Sequence, residues 1–185
     1  MLSAPLVITV LLAVGLLGAT LAFPGGSTTH PTVAAVPLVL AAPSVTVGTV
    51  GGLVPDVTLA GRTGPTGARD LRPAVLAVAT PDCACGAALA HLAHQAAADG
   101  LTIYLIGSRA RQSDLEALAA AAGSDNVRVM IEENATLTTA FSRGALSAVA
   151  VHADGVIDVL VADVMRTTSL DAVFASLKQP AHAGA

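Results

Sequence analysis

The chain has 185 residues, nine Lys or Arg against thirteen Asp or Glu, and a net charge of −4. This acidic balance, with 2% aromatic residues and no Trp, excludes a nucleic-acid partner, because phosphates need clustered basic side chains and bases need stacking aromatics. Hydrophobic residues reach 54%, much of it Ala and Val, which suits closely packed layers of helix and sheet better than an aromatic-lined groove.

Charge is distributed unevenly. No Lys or Arg precedes Arg62, and Asp56 is the sole acidic residue before it. Leu6 to Phe23 is an uncharged, apolar run of 18 residues, close to the roughly 20 that span a bilayer. A buried core helix normally keeps a polar face, so residues 1–23 are expected to form a membrane anchor or a cleaved signal segment. Thr20-Leu21-Ala22 resembles a small-x-small cleavage site, but the basic region that usually opens a signal peptide is missing. The anchor is the favoured reading, with secretion after cleavage as the alternative. Residues 24–52, rich in Gly, Ser, Thr, Pro, Ala and Val, read as a flexible linker; Pro37 interrupts its apolar patch, Val33 to Ala42.

A folded domain is expected over residues 53–178. Val57 to Leu59 reads as a short edge strand, and Arg62 to Arg69, containing Gly and Pro, as a loop. Pro73 to Thr80 is a nearly continuous apolar run, the pattern of a strand buried on both faces. Cys83-Ala84-Cys85-Gly86 follows, then a helix to about Ala98 with Leu89, Leu92, Ala93 and Ala96 on one face and Gly100 closing it. Leu101 to Ile106 is the next strand. Ser113-Asp114-Leu115-Glu116 has the form of a capping box opening a helix to Ala122. Val127 to Ile131 is a third strand, with Glu132-Glu133 expected on its solvated end, and Ala135 to Phe141 a short helix. Ser147 to Val151 and Val156 to Val161 are strands joined through Ala153-Asp154-Gly155, a hairpin turn signal in which Asp154 is a turn residue and His152 a strand end. Thr168 or Ser169 is expected to cap a last helix to Leu177, and residues 179–185 to form a disordered tail. Asn134-Ala135-Thr136 matches a glycosylation acceptor or a helix cap. Early strands separated by helices imply parallel crossovers and the hairpin adds antiparallel strands, giving an α/β fold with a mixed central sheet flanked by helices.

This element order, with two close cysteines where the first core strand meets its helix, resembles the thioredoxin-like superfamily. The N-terminal apolar segment and linker, the lead-in Val54-Pro55-Asp56-Val57-Thr58-Leu59, Thr80-Pro81-Asp82-Cys83, and the Asp154-Gly155 hairpin with the segment to Leu177 are similar to its exported, membrane-anchored thiol–disulfide branch. Within that branch they resemble most the thioredoxin-like accessory proteins of methylamine utilisation. The resemblance implies an extracytoplasmic thiol–disulfide oxidoreductase that needs no cofactor and helps mature the disulfides of an exported enzyme such as an amine dehydrogenase. Two positions depart from the family. Its Cys-x-x-Cys is shortened to Cys83-Ala84-Cys85, and its cis-proline position falls on Leu146.

Apart from any family, Cys83 and Cys85 are the only cysteines of the chain, one residue apart. A disulfide closing so short a loop removes little entropy from the unfolded chain, which makes a purely stabilising bond the weaker explanation. Exchange with protein thiols or disulfides assigns Cys83 as nucleophile near a helix N-terminus and Cys85 as resolving thiol. Asp82 opposes thiolate formation, and no Lys or Arg between Arg72 and Arg109 counters it. The alternatives are Cu(I) binding by the two thiolates, with His91 or His94 as a further ligand, and a redox-silent scaffold. His91 and His94 fall off the apolar face of their helix and read as solvated.

Overall fold

Apolar runs of six residues with no charge can be covered on both sides, and the sheet is built around two of them. The computed structural model describes residues 46–167 and 170–178. Its elements are β1 (Thr58–Gly61), β2 (Gly64–Gly67), β3 (Ala74–Ala79), α1 (Gly86–Ala98), β4 (Thr102–Ser108), α2 (Gln112–Ala121), β5 (Val127–Glu132), α3 (Thr136–Phe141), β6 (Leu146–Val151), β7 (Ile157–Val161) and α4 (Asp171–Leu177). The seven strands form one sheet in the order β2-β1-β5-β4-β3-β6-β7. β3, β4 and β5 run parallel, and the pairs β1–β2, β1–β5, β3–β6 and β6–β7 are antiparallel.

Every residue of β3 and of β6 is buried, as a strand covered on two faces requires. Side-chain alternation divides them between two cores. Val75, Ala77 and Ala79 pack with Leu89, Leu92, Ala93 and Ala96 of α1, Leu115 of α2, and Val173 and Phe174 of α4. Leu76 and Val78 pack on the opposite face with Leu137 and Phe141 of α3 and with Val54, Leu59 and Leu71 from the entry to the domain. The four residues expected on the buried face of α1 are the four buried there. Its end is fixed by Gly100 at φ +68°, a left-handed conformation that costs glycine little.

Five expectations are corrected. The strand near Val57 begins at Thr58 and is not an edge, because β2, inside the expected loop 62–69, covers it with the register Leu59↔Thr66 and Ala60↔Pro65. Gly-Pro-Thr-Gly carries no strand propensity, so this pairing is imposed by the tight turn back from β1. Ser113 does not cap α2. A 3-10 turn at Arg109–Arg111 feeds straight into Gln112, leaving Ser113 exposed within the first helical turn. Glu132 is not solvated: at 2% exposure its carboxylate accepts from the backbone N–H groups of Leu137 and Thr138, each at 2.8 Å, and from the Thr138 hydroxyl. The cap of α3 is therefore Glu132 rather than Asn134, while the neighbouring Glu133 is the exposed one, paired with Arg109 at 2.6 Å. Glu132→Ala leaves two N–H groups without their acceptor and is expected to lower stability by about 1–3 kcal/mol in a urea titration.

Residues 46–53, at the end of the expected linker, turn back on the domain. Val47 bridges Leu53, Leu53 bridges Val156, and Gly51 N–H donates to the Ile157 carbonyl. Among the described residues no helix is long and apolar enough to cross a membrane. The expected anchor at 1–23, the cap at Thr168 or Ser169 and the tail 179–185 lie outside the described residues.

Candidate functional site: a disulfide at the start of α1

β3 stops where Pro81 removes a donor, and the chain reverses in a turn closed by Cys83 N–H donating to the Thr80 carbonyl at 3.2 Å. Thr80 is anchored in turn: its N–H donates to the Ala145 carbonyl at 2.9 Å and its hydroxyl to the same oxygen at 3.3 Å. Two residues on, α1 begins with Cys85 as its N-cap and the Cys85 carbonyl accepting from Leu89 N–H at 2.9 Å. Cys83 and Cys85 are joined in a disulfide with Cα atoms 5.1 Å apart. The two sulfurs are unequal. Cys85 is 0% exposed and belongs to the α1–α2–α4 core, whereas Cys83 is half-buried and only rests against it.

The helix starts after Cys85, so the second cysteine, not the first, stands closest to the free N–H groups of the first turn. No acidic side chain occupies that turn. The Cys85 sulfur also lies 3.7 Å from the Cys83 carbonyl oxygen, a position from which a reduced thiol can donate. Access from solvent is left to Cys83.

The turn also has a basic partner that linear spacing conceals. Arg111, from the 3-10 turn before α2, donates to the carbonyls of Ala79 at 2.6 Å, Thr80 at 3.0 Å and Pro81 at 3.4 Å. It lies about thirty residues from them in sequence, and only the parallel β3–β4 crossover brings it there. Within the sequence, the one signal that could have found it is its place just past the C-terminal end of β4, the end of a parallel sheet where ligand sites gather.

Opposite Thr80, Leu146 opens β6 as the buried partner of Ala79. The segment before it is held without a proline. The buried Ser147 hydroxyl accepts from Arg143 N–H at 3.0 Å and Gly144 N–H at 3.3 Å and donates to the Ala162 carbonyl at 2.8 Å. A Cβ on Gly144 would stand 2.5 Å from that same carbonyl, so the close approach of the two segments requires glycine. The cis peptide among the described residues is Arg72-Pro73, before β3.

No family profile and no curated protein matches the sequence. Solved structures do match. A secreted disulfide oxidoreductase of Mycobacterium tuberculosis, described as homologous to E. coli DsbE, shares 22% identity at a TM-score of 0.53 over 66% of this chain and 96% of its own. A thio-disulfide isomerase of Thermus thermophilus shares 19% at 0.55, over 70% and 94%. The thioredoxin domain of a thiol-disulfide oxidoreductase of Bacteroides vulgatus shares 16% at 0.51, over 70% and 95%.

The fold is thioredoxin-like. On this thioredoxin-like sheet the remaining candidates sort by position. His91 and His94 are exposed on α1, and among the described residues no group of three or more His, Cys, Asp or Glu is placed to hold a metal ion. His152 directly follows β6 and is 1% exposed, with Nδ1 3.5 Å from Asp154 Oδ1. The same carboxylate oxygen accepts from Val156 N–H at 2.9 Å, which makes Asp154 the turn residue its sequence suggests.

Proposed function

We propose that this protein is a thiol–disulfide oxidoreductase, exported and held at the membrane by residues 1–23, whose Cys83–Cys85 pair exchanges with protein thiols. The observation that carries the proposal is the asymmetry of the pair. One sulfur is open to a client, and the other is buried at the head of a 13-residue helix. A client thiolate attacks the Cys83 sulfur, the Cys83–Cys85 bond breaks, and Cys85 leaves as a thiolate beside the free N–H groups of α1. The client's second thiolate then attacks its own sulfur in the mixed disulfide and expels Cys83. The client has lost two electrons, and the cysteine pair has gained two electrons and takes up two protons. Run backwards, the same steps reduce a client. No cofactor enters, because the two sulfurs carry the electrons.

The three solved neighbours, named for disulfide oxidation or isomerisation, support the chemistry, and the one described as secreted is in keeping with an exported location. The 18-residue apolar run supports the tether. The similarity of the Thr80–Cys83 and Val54–Leu59 segments to the methylamine-utilisation accessory proteins points to an exported amine dehydrogenase as client.

Full-length protein, extracted in mild detergent and equilibrated with reduced and oxidised glutathione, tests the chemistry when its thiols are trapped and weighed. A reversible step of two thiols is expected, and its midpoint states whether clients are oxidised or reduced. Thiols that do not cycle but become protected when Cu(I) is added transfer the assignment to copper carriage. Thiols that do neither leave the fold as a scaffold.

A further inference from the structure

The strongest feature outside the disulfide itself is the guanidinium bonded to the turn that carries it. Three consecutive carbonyls, those of Ala79, Thr80 and Pro81, converge on Arg111. Thr80 serves twice, because its carbonyl also receives Cys83 N–H and thereby closes the turn. Every donor that Arg111 spends here goes to neutral oxygens, and among the described residues no carboxylate forms an ion pair with it. Asp82 is the only formal charge on the turn itself, and it is exposed. Arg109, two residues earlier, differs: its charge is taken up by Glu133.

We propose that Arg111 is a positioning residue for Cys83, fixing the turn that presents its sulfur and, through its charge, favouring the Cys83 thiolate against Asp82. This rests on the exchange reading but is tested separately from it. Asp82, next to Cys83 in the chain, opposes a thiolate there. A cation bonded to the turn that carries Cys83 counters that repulsion, and the thiolate is the form that attacks and the form that leaves. A lysine in this place keeps the charge but offers one ammonium where the guanidinium spans three carbonyls.

The test uses the full-length chain with Cys85→Ser, so that Cys83 is the only thiol and no exchange partner is needed. Its alkylation by iodoacetamide is timed at pH 7 in four backgrounds: Arg111 retained, Arg111→Met, Arg111→Lys and, as a charge control, Arg109→Met. Folding of each is checked by circular dichroism. We expect Arg111→Met to slow alkylation about tenfold, Arg111→Lys to recover at least roughly half of that loss, and Arg109→Met to stay within about twofold of the parent. Should Arg111→Met not fold, Arg111→Gln replaces it, keeping a donor without the charge. The proposal is overturned if the uncharged variant reacts within about twofold of the parent, or if the lysine variant is as slow as the uncharged one. A wild-type chain that fails to cycle with glutathione rejects the exchange reading and leaves this measurement intact.

Discussion

Cys83→Ser is expected to abolish the proposed thiol–disulfide exchange, and Cys85→Ser to convert the protein into a trap. These are the largest effects the site predicts, and they differ because the sulfurs differ in access. With Cys83 gone, the surviving thiol is 0% exposed within the α1–α2–α4 core, and turnover with a dithiol client is expected to fall by roughly two orders of magnitude or more. With Cys85 gone, Cys83 can still react with a client disulfide, but nothing stands beside it to resolve the product, so a mixed disulfide accumulates. Non-reducing gels of the two variants, incubated with oxidised client, read this directly: a shifted band for Cys85→Ser and none for Cys83→Ser. The reverse pattern would falsify the assignment of Cys83 as the attacked sulfur. The trapped band from cells also identifies the client by mass spectrometry.

Phe141→Ala is expected to cost about 3–5 kcal/mol, against the roughly 5–15 kcal/mol that holds a domain of this size together. Phe141 is 1% exposed and ranks among the largest fully buried side chains. It closes the core on the sheet face opposite the cysteines, with Leu137, Leu76, Val78, Ile106 and Val149. α3 has six residues and no independent stability, so its order depends on burying Leu137 and Phe141 and on the Glu132 cap. Removing the ring leaves a cavity that so short a helix cannot fill without leaving its cap. Thermal and urea unfolding should show the loss, and Phe141→Leu should recover much of it. Exchange measured at low temperature should be unchanged where the variant is folded, since Cys83 and Cys85 pack on the other face. A loss of exchange without a loss of stability would contradict this separation.

How much of this was legible in the sequence depends on whether the cause was local. Pro73 to Thr80 reads as a strand because a continuous apolar run of that length, ended by Pro81, suits a doubly covered sheet. Leu89, Leu92, Ala93 and Ala96 read as the inner face of α1 because their spacing is the helix's own. The hairpin through Asp154-Gly155 is carried by turn chemistry that acts over four residues. The failures have distant causes. β2 is a strand only because β1 lies beside it, and Gly64, Pro65 and Gly67 argue against a strand on their own. Glu132 looked solvated because acidic pairs usually are, yet the six-residue helix five positions later supplies the donors that bury it. Ser113 had the right spacing for a cap, but the 3-10 turn through Arg111 had already started the helix.

The candidate site divides in the same way. That the cysteines lie at the junction of β3 and α1 was readable. Their unequal exposure was not, because it is set by which residue α1 starts on. The missing countercharge was a statement about neighbours in sequence, and spacing did not show that the fold brings Arg111 to the turn carbonyls from just past β4. Leu146 opens β6, and the segment before it is bound by the Ser147 hydroxyl, an arrangement that no spacing rule announces.

The short strand β2, outermost in the described sheet, has a further consequence for how copies of the chain meet. A sheet's outermost strand offers its unused backbone groups to any extended chain that drifts past, and crowding raises the frequency of such meetings. Here that margin is four residues long and carries Pro65, exposed and lacking an N–H, between two glycines. An incoming strand finds too few donors and too flexible a rail to zip onto. Copies of the chain that meet at high concentration therefore gain little from pairing along this border.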